Sequence, residues 1–211
     1  NGVQLARNDL AVEAIRLARM LVLLMPDEPE AIGLLALMLL NHSRVNARTA
    51  EDGTLLTLDQ QDRSRWDASQ IAEGSALVEK ALRMRRIGPY QIQAAVSALH
   101  AEATSAGETD WPQIVKLYDL LLAIYPTPVI ALNRAAAISM ASGPLQGLLA
   151  MAEIDEQDAL DSYYLFHAAR ADMLRRAGKR AEARSAYEQA LTLTNNNAER
   201  GYLALRAASL R

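Results

Sequence analysis

The chain predicts an all-α protein, a superhelix of antiparallel helical hairpins, and three observations carry this. Of its 211 residues 51% are hydrophobic but only 5% aromatic. Ala, Leu, Ile, Val and Met make up the difference, a composition that favours helix over strand. The 10 glycines and 7 prolines are sparse and sit between apolar-periodic runs, as helix punctuation does. Residues 163–193 read as two helices hinged at Gly178, the second with Ala183, Tyr187 and Ala190 on one face. Small side chains at Ala183 and Ala190 let two helices approach closely, and Tyr187 fills the space between them.

The elements follow in order. Asn8 or Asp9 opens a helix to about Met25, with Leu10, Ala14, Leu17, Ala18 and Leu21 on its apolar stripe. Pro26-Asp-Glu-Pro29 ends it and starts a second helix, to about His42. Residues 43–66 break the pattern. Ser43 to Asp52 is polar, Gly53 turns the chain, and Thr54-Leu-Leu-Thr-Leu58 is a short extended run. A loop of this length inside a compact helical fold is functional or an insertion. Helix resumes after Asp67, an N-cap with Gln70 three residues on. Gly88-Pro89 starts the next helix, to about Ser105, since Pro suits a first turn. Thr109-Asp110 precedes a helix from Trp111 to Tyr125, and Pro126-Thr-Pro128 separates it from 129–141. Gly143-Pro144 leads into a helix to about Ile154. After the 163–193 hairpin, Asn195-Asn-Asn197 stops the chain before a last helix, 197–210.

Thr109, Gly143 and Gly178 occupy equivalent hinges at spacings of 34 and 35 residues. Those spacings match the tetratricopeptide period of about 34 residues. Residues 1–211 are therefore expected to form one tetratricopeptide-like repeat domain, with 43–66 inserted in a hairpin and 197–210 as a cap with a more polar outer face.

The net charge of −3 and a pI near 5.7 argue against a DNA- or RNA-gripping domain, which needs a basic balance for its phosphate contacts. The local runs Arg83, Arg85, Arg86 and Arg175, Arg176, Lys179, Arg180 read as solvated faces. With no cysteine, disulfides and thiolate metal sites are excluded, and a cytoplasmic location is expected. The longest apolar runs, Met20–Met25 and Ala31–Leu40, are too short to span a bilayer, and no signal peptide is expected. The chain opens on Asn1 rather than Met, which predicts a piece of a longer protein.

Two groups of residues are candidate sites. Gln61-Asp-Arg-Ser-Arg-Trp-Asp67 sets two arginines, two carboxylates and a Trp in seven residues. It fits recognition of a charged peptide or ligand, and equally a salt-bridge and capping knot that pins the insertion, with Trp66 as anchor and Asp62 and Arg63 in ion pairs. Polar residues inside apolar helices form the second group: Gln93 and His100, Asn133 and Arg134, His167, Arg170 and Asp172. They fit a polar strip along a concave groove or a set of internally satisfied groups, since buried polar atoms must be partnered. No catalytic constellation is present. His42, His100 and His167 fall in different helices, and His100 and Glu102 point to different faces of theirs. There is neither a phosphate loop nor a nucleophile elbow. No enzyme activity, metal or cofactor is expected.

A run of blocks carries a family resemblance. Leu10-Ala-Val-Glu-Ala-Ile-Arg-Leu-Ala-Arg19, Pro26-Asp-Glu-Pro-Glu30, Gly33-Leu-Leu-Ala-Leu-Met38, Gln61-Asp-Arg-Ser-Arg-Trp66 and Gly88-Pro-Tyr-Gln-Ile-Gln-Ala-Ala95 are followed by Ala98-Leu-His-Ala101, Thr109-Asp-Trp111, Ile114-Val-Lys-Leu-Tyr-Asp119, Ala131-Leu-Asn-Arg-Ala135 and His167-Ala-Ala-Arg-Ala-Asp172. In combination they resemble the long C-terminal extension of a group of bacterial extracytoplasmic-function sigma factors, over nearly the whole chain. In that group two short DNA- and polymerase-binding domains precede a large helical-repeat domain. The promoter-binding domains are not in this sequence and are expected upstream. The family's short apolar segment before the extension corresponds at most to the first few residues. The resemblance makes the Gln61–Trp66 and Ala131–Ala135 blocks signature positions, which singles out Asp62, Arg63, Trp66, Asn133 and Arg134.

The resemblance implies a regulatory and protein-interaction domain of an alternative sigma factor, modulating transcription initiation. Its partners would be the upstream sigma domains, RNA polymerase or a regulatory protein. DNA would be reached only through the missing domains, and neither a membrane nor a small-molecule substrate is involved. The alternatives are a free-standing repeat adaptor with a peptide in its concave groove, and an enzyme or small-ligand sensor with the insertion as a lid. An apolar pocket under Trp66 would favour the last.

Overall fold

The structure, a computed structural model, describes residues 8–51, 53–155 and 160–210. Asp52 and the first seven residues, to which the apolar segment implied by the resemblance would correspond, lie outside the described residues. The fold is all-α. The described residues form ten α-helices: α1 (Asn8–Leu24), α2 (Pro29–His42), α3 (Ala68–Arg83), α4 (Pro89–Glu102), α5 (Trp111–Ile124), α6 (Pro128–Ser142), α7 (Pro144–Asp155), α8 (Tyr164–Arg176), α9 (Arg180–Leu193) and α10 (Asn197–Ala208). Short 3-10 turns lie at Val45–Ala47, Leu58–Gln60, Arg63–Arg65 and Ala106–Glu108. No strand occurs among the described residues. The run 54–58 holds one bridge residue, Leu55, before the turn at Leu58–Gln60.

The elements gather into two compact units. The first takes α1 to α4, the second most of α5 and all of α6 to α10.

In the first unit α2 is the central helix and packs on α1, α3 and α4. Ala31, Ile32, Leu35, Ala36, Leu39 and Leu40 are all buried, as befits a helix that is apolar on every side. Ala36 and Leu40 meet Val78 of α3 and Ala94 and Ala98 of α4. Asp67 caps α3, accepting the Gln70 backbone N–H at 3.0 Å, while Gln70 Nε2 returns to its carboxylate at 2.9 Å. Helix α1 departs from its expected stripe. Leu10, Leu17 and Leu21 are exposed, and Ala18 is the buried residue, packed with Ile15 and Val22 against Leu35 and Leu39. The helix is apolar on more than one face, and the face with the small residue is the one that lies on α2.

In the second unit two hairpins follow one another. The first joins α6 to α7 through Gly143, the second α8 to α9 through Gly178. Gly178 takes φ +78°, and Lys179 N–H bonds Leu174 O at 2.9 Å while Gly178 N–H bonds Arg175 O at 3.1 Å. This is the Schellman ending of a helix, and it places a residue without a Cβ where φ is positive. Leu132, Ala135, Met151, Ile154, Phe166 and Met173 form one cluster. Ala171, Leu174, Ala183, Ala186, Tyr187, Ala190 and Leu203 form the next. Ala183, Tyr187 and Ala190 share one buried face, as their spacing predicts. Asn196 caps α10, its Oδ1 accepting from Ala198 N–H at 2.9 Å, and α10 turns Leu203 inward and leaves Leu205 exposed.

Candidate functional site

The site is built where the chain leaves α2 and returns to α3. The 3-10 turn Val45–Ala47 keeps Arg44 and Arg48 beside the end of α2. Arg44 Nη2 donates to Asn41 Oδ1 at 2.7 Å, and Arg48 Nη2 donates to Asn41 O at 2.9 Å. The last carbonyls of a helix have no partner within it, so a guanidinium is well placed there. The chain comes back at Gln61–Trp66. Asp62 N-caps the turn Arg63–Arg65, its Oδ1 accepting from Ser64 N–H at 3.0 Å and Ser64 Oγ at 2.7 Å. Those bonds hold its carboxyl below the usual carboxylate range. Asp67 N–H donates to Ser43 O at 2.9 Å, which clips the two ends of the insertion together.

Arg63 reaches the other way. Its Nη1 donates to Ala103 O at 2.6 Å and to His100 O, both at the end of α4. Among the described residues the expected ion pairs of Asp62 and Arg63 are not found: Asp62 caps its own turn, and Arg63 bonds carbonyls at the end of α4. Trp66 is 6% exposed. The Arg63 Cζ stands 4.7 Å from its ring centroid and the Arg44 Cζ 5.9 Å, so two guanidiniums stack on one indole. Trp66 is thus buried with two arginines beside its ring.

The electrostatics are one-sided. Burial, together with the charges of Arg48 and Arg63, pulls the Arg44 guanidinium down to about 10. Burial lowers Arg48 as well. Arg63 is also lowered by burial, with Glu108 acting against the shift. The half-buried His100 imidazole is pushed down to about 4 by burial and by Arg44 and Arg63, so it is neutral at physiological pH. Sequence reasoning found Asp62, Arg63, Trp66 and His100, and the structure brings Arg63, Trp66 and His100 together. It missed Arg44 and Arg48. The signal was their spacing of four in a segment otherwise without a periodic face.

The remaining predicted residues lie in the second unit, except Gln93 on α4 of the first. Asn133 is exposed on α6. Arg134 Nε meets Asp119 Oδ1 of α5 at 2.5 Å. Asp172 pairs within its own helix, with Arg175 at 2.5 Å and Arg176 at 3.7 Å. Arg176 Nη2 also donates to Ser139 O of α6 at 2.6 Å. Gln93 and His167 bond nearby backbone carbonyls, at Pro89 and Asp161. A cavity of about 180 Å³ opens in this unit over Met151, Phe166 and Leu174, with Arg170, Lys179 and Glu182 among its lining residues. Among the described residues, no group of three or more His, Cys, Asp or Glu side chains is placed to hold a metal ion. No described helix is long and apolar enough to cross a membrane.

Residues 1–82 match a family of unknown function (DUF6596). That segment contains Arg44, Arg48, Arg63 and Trp66. The chain is also 44% identical over 203 residues to an uncharacterized protein of Rhizobium meliloti (strain 1021). The match covers 96% of this chain and 48% of the relative, so the chain spans about half the length of the curated relative that it matches. No solved structure matches it.

Proposed function

We propose that this chain is the regulatory, protein-interacting extension of a bacterial extracytoplasmic-function sigma factor, built as a tetratricopeptide-like superhelix and acting in the cytoplasm. The observation that carries the reading is the Gln61–Trp66 block. The sequence resemblance marks it as a signature, and within it Arg63 stands over the Trp66 ring and bonds the end of α4, while Arg44, from beside the end of α2, flanks the same ring. The consecutive hairpins hinged at Gly143 and Gly178 support the repeat architecture. A relative of about twice this length leaves room for the two short domains that the resemblance expects.

In this reading the chain does not grip the promoter. It holds the upstream sigma domains, RNA polymerase or a regulator, and so sets how often the sigma factor engages. Reading the coding sequence upstream of Asn1 is the direct test. A promoter-melting domain followed by a −35-binding domain is expected there, and in vitro transcription should change when residues 1–211 are deleted. An upstream sequence without DNA-binding domains would replace this reading with that of a free-standing repeat adaptor.

A further inference from the structure

Charge pairing in the first unit is inverted with respect to burial. Four exposed arginines have carboxylate partners: Arg16 with Glu13 at 2.8 Å, Arg19 with Glu73 at 2.7 Å, Arg83 with Glu79 at 2.7 Å and Arg86 with Glu28 at 3.8 Å. The half-buried Arg44, Arg48 and Arg63 of the insertion have no carboxylate within ion-pair distance among the described residues, and Glu108 acts on Arg63 only from farther away. Arg44, Arg48 and Arg63 make their hydrogen bonds to an amide oxygen and to backbone carbonyls. Solvated ion pairs contribute little to stability, whereas partly buried cations that lack a counter-charge are costly. This is the opposite of what stability alone would select.

A second observation is independent of charge. The indole Nε1–H of Trp66 is buried and finds no acceptor among the described residues. An unpaired buried donor costs about 1–3 kcal/mol. Trp66 is the residue that both Arg44 and Arg63 flank. The surroundings thus offer donors and positive charge in excess and lack one thing, an anion with several acceptor oxygens.

We propose that Arg44, Arg48, Arg63 and the Trp66 indole N–H form a binding site for a phosphoryl group. A guanidinium presents its N–H donors as a planar fork that matches the oxygens of phosphate. The bonds described here engage Nη2 of Arg44, Nη2 of Arg48 and Nη1 of Arg63, which leaves further donors on each side chain. Three cations suit a dianion better than a single carboxylate. None of the three arginines is fully buried, so the group enters from solvent. Binding would cross-link the end of α2, the insertion and the end of α4, and so would couple ligand to the conformation of the segment that bears the family signature. The proposal does not depend on the sigma-factor reading.

The test is thermal unfolding and calorimetry of residues 1–211 with inorganic phosphate at constant ionic strength, chloride replacing it in the control. A saturable rise in Tm with phosphate is expected, as for any ligand bound only by the folded state. Arg44→Met is the informative variant, because its one described hydrogen bond is to a side chain and its loss leaves no backbone carbonyl without a partner. It should keep or raise the phosphate-free Tm, since it relieves like-charge crowding, and it should abolish the phosphate effect. Arg44→Lys keeps the charge without the fork and should bind about tenfold more weakly or worse. A nucleoside monophosphate that binds more tightly than phosphate would assign the group to a larger ligand; equal binding would assign it to the free ion. The proposal is overturned if wild type shows no saturable response, if Arg44→Met and Arg48→Gln respond like wild type, or if both variants lose stability without phosphate. The last result would make the arginines helix caps only.

Discussion

The carboxylate of Glu30 sits in the space that a side chain at Gly88 would occupy. A Cβ on Gly88 would lie 2.3 Å from Glu30 Cδ. Gly88 is the N-cap of α4 and has no side chain to offer. Glu30, from the first turn of α2, does the capping instead: its oxygens accept from Tyr90 N–H at 3.0 Å and Gln91 N–H at 3.1 Å. An anion at a helix N-terminus also complements the helix dipole. The glycine is there for space, because its φ of −142° suits any residue.

Gly88→Ala and Glu30→Ala should each cost about 1–2 kcal/mol, the usual loss of an N-cap. Because both remove the same interaction, the double variant should cost little more than either single one. Urea denaturation of the four proteins measures this. Strictly additive losses would mean that Gly88 and Glu30 act independently.

Trp66→Ala should cost about 3–5 kcal/mol, since a buried indole is replaced by a cavity and two stacked guanidiniums lose their surface. Trp66→Phe should cost clearly less, because it keeps a ring under Arg63. A water-like emission maximum for Trp66, with an unchanged Tm in Trp66→Ala, would contradict its burial.

Element boundaries were legible because their causes are local. Asp67 with Gln70, Gly88-Pro89, Gly143 and Gly178 each act within a turn of the helix end they mark, and the structure puts helix ends at all of them. The face that a helix buries was less so. Leu10, Leu17 and Leu21 are as apolar as any core stripe, yet Ala18 is what α2 accepts. Partners far along the chain were not legible at all. Arg48 and Arg63 bond backbone carbonyls, which every residue possesses, and Glu30 caps a helix that begins nearly sixty residues later.

DNA binding by residues 1–211 alone should be weak. With a net charge of −3 and the exposed arginines of the first unit mostly ion-paired, few cations are left to release counterions from a duplex. Fluorescence anisotropy at near-physiological salt should give no sub-micromolar affinity. A tight and steeply salt-dependent interaction would show that a basic surface had been overlooked.

If the sigma-factor reading holds, Asn133 and Arg134 mark a contact surface on α6. Asn133→Ala removes an exposed side chain, and Arg134→Ala removes a half-exposed ion pair with Asp119, so stability should fall by no more than about 1 kcal/mol. Transcription driven by the longer protein should nevertheless change. A double variant that unfolds, or that transcribes like wild type, would assign these residues to structure alone.

The His100 imidazole sets a pH dependence that carboxylates do not share. Its ordinary value of 6.5 is lowered to about 4 in the fold. Between those values the unfolded chain takes up a proton that the folded chain refuses, so stability must fall as pH falls from about 6.5 towards 4, by up to about 3 kcal/mol. Asp62 and Asp67 are also lowered in the fold, by hydrogen bonds to Ser64 and Gln70. Their contribution, present at neutral pH, is lost only as the pH drops below the ordinary carboxylate range near 4. The two windows are therefore separable. Denaturation of wild type and His100→Gln across pH 4–7 should show a slope in the upper window for wild type and a flatter one for the variant. Identical slopes would mean that His100 is protonated in the folded protein and that Arg44 and Arg63 do not reach it.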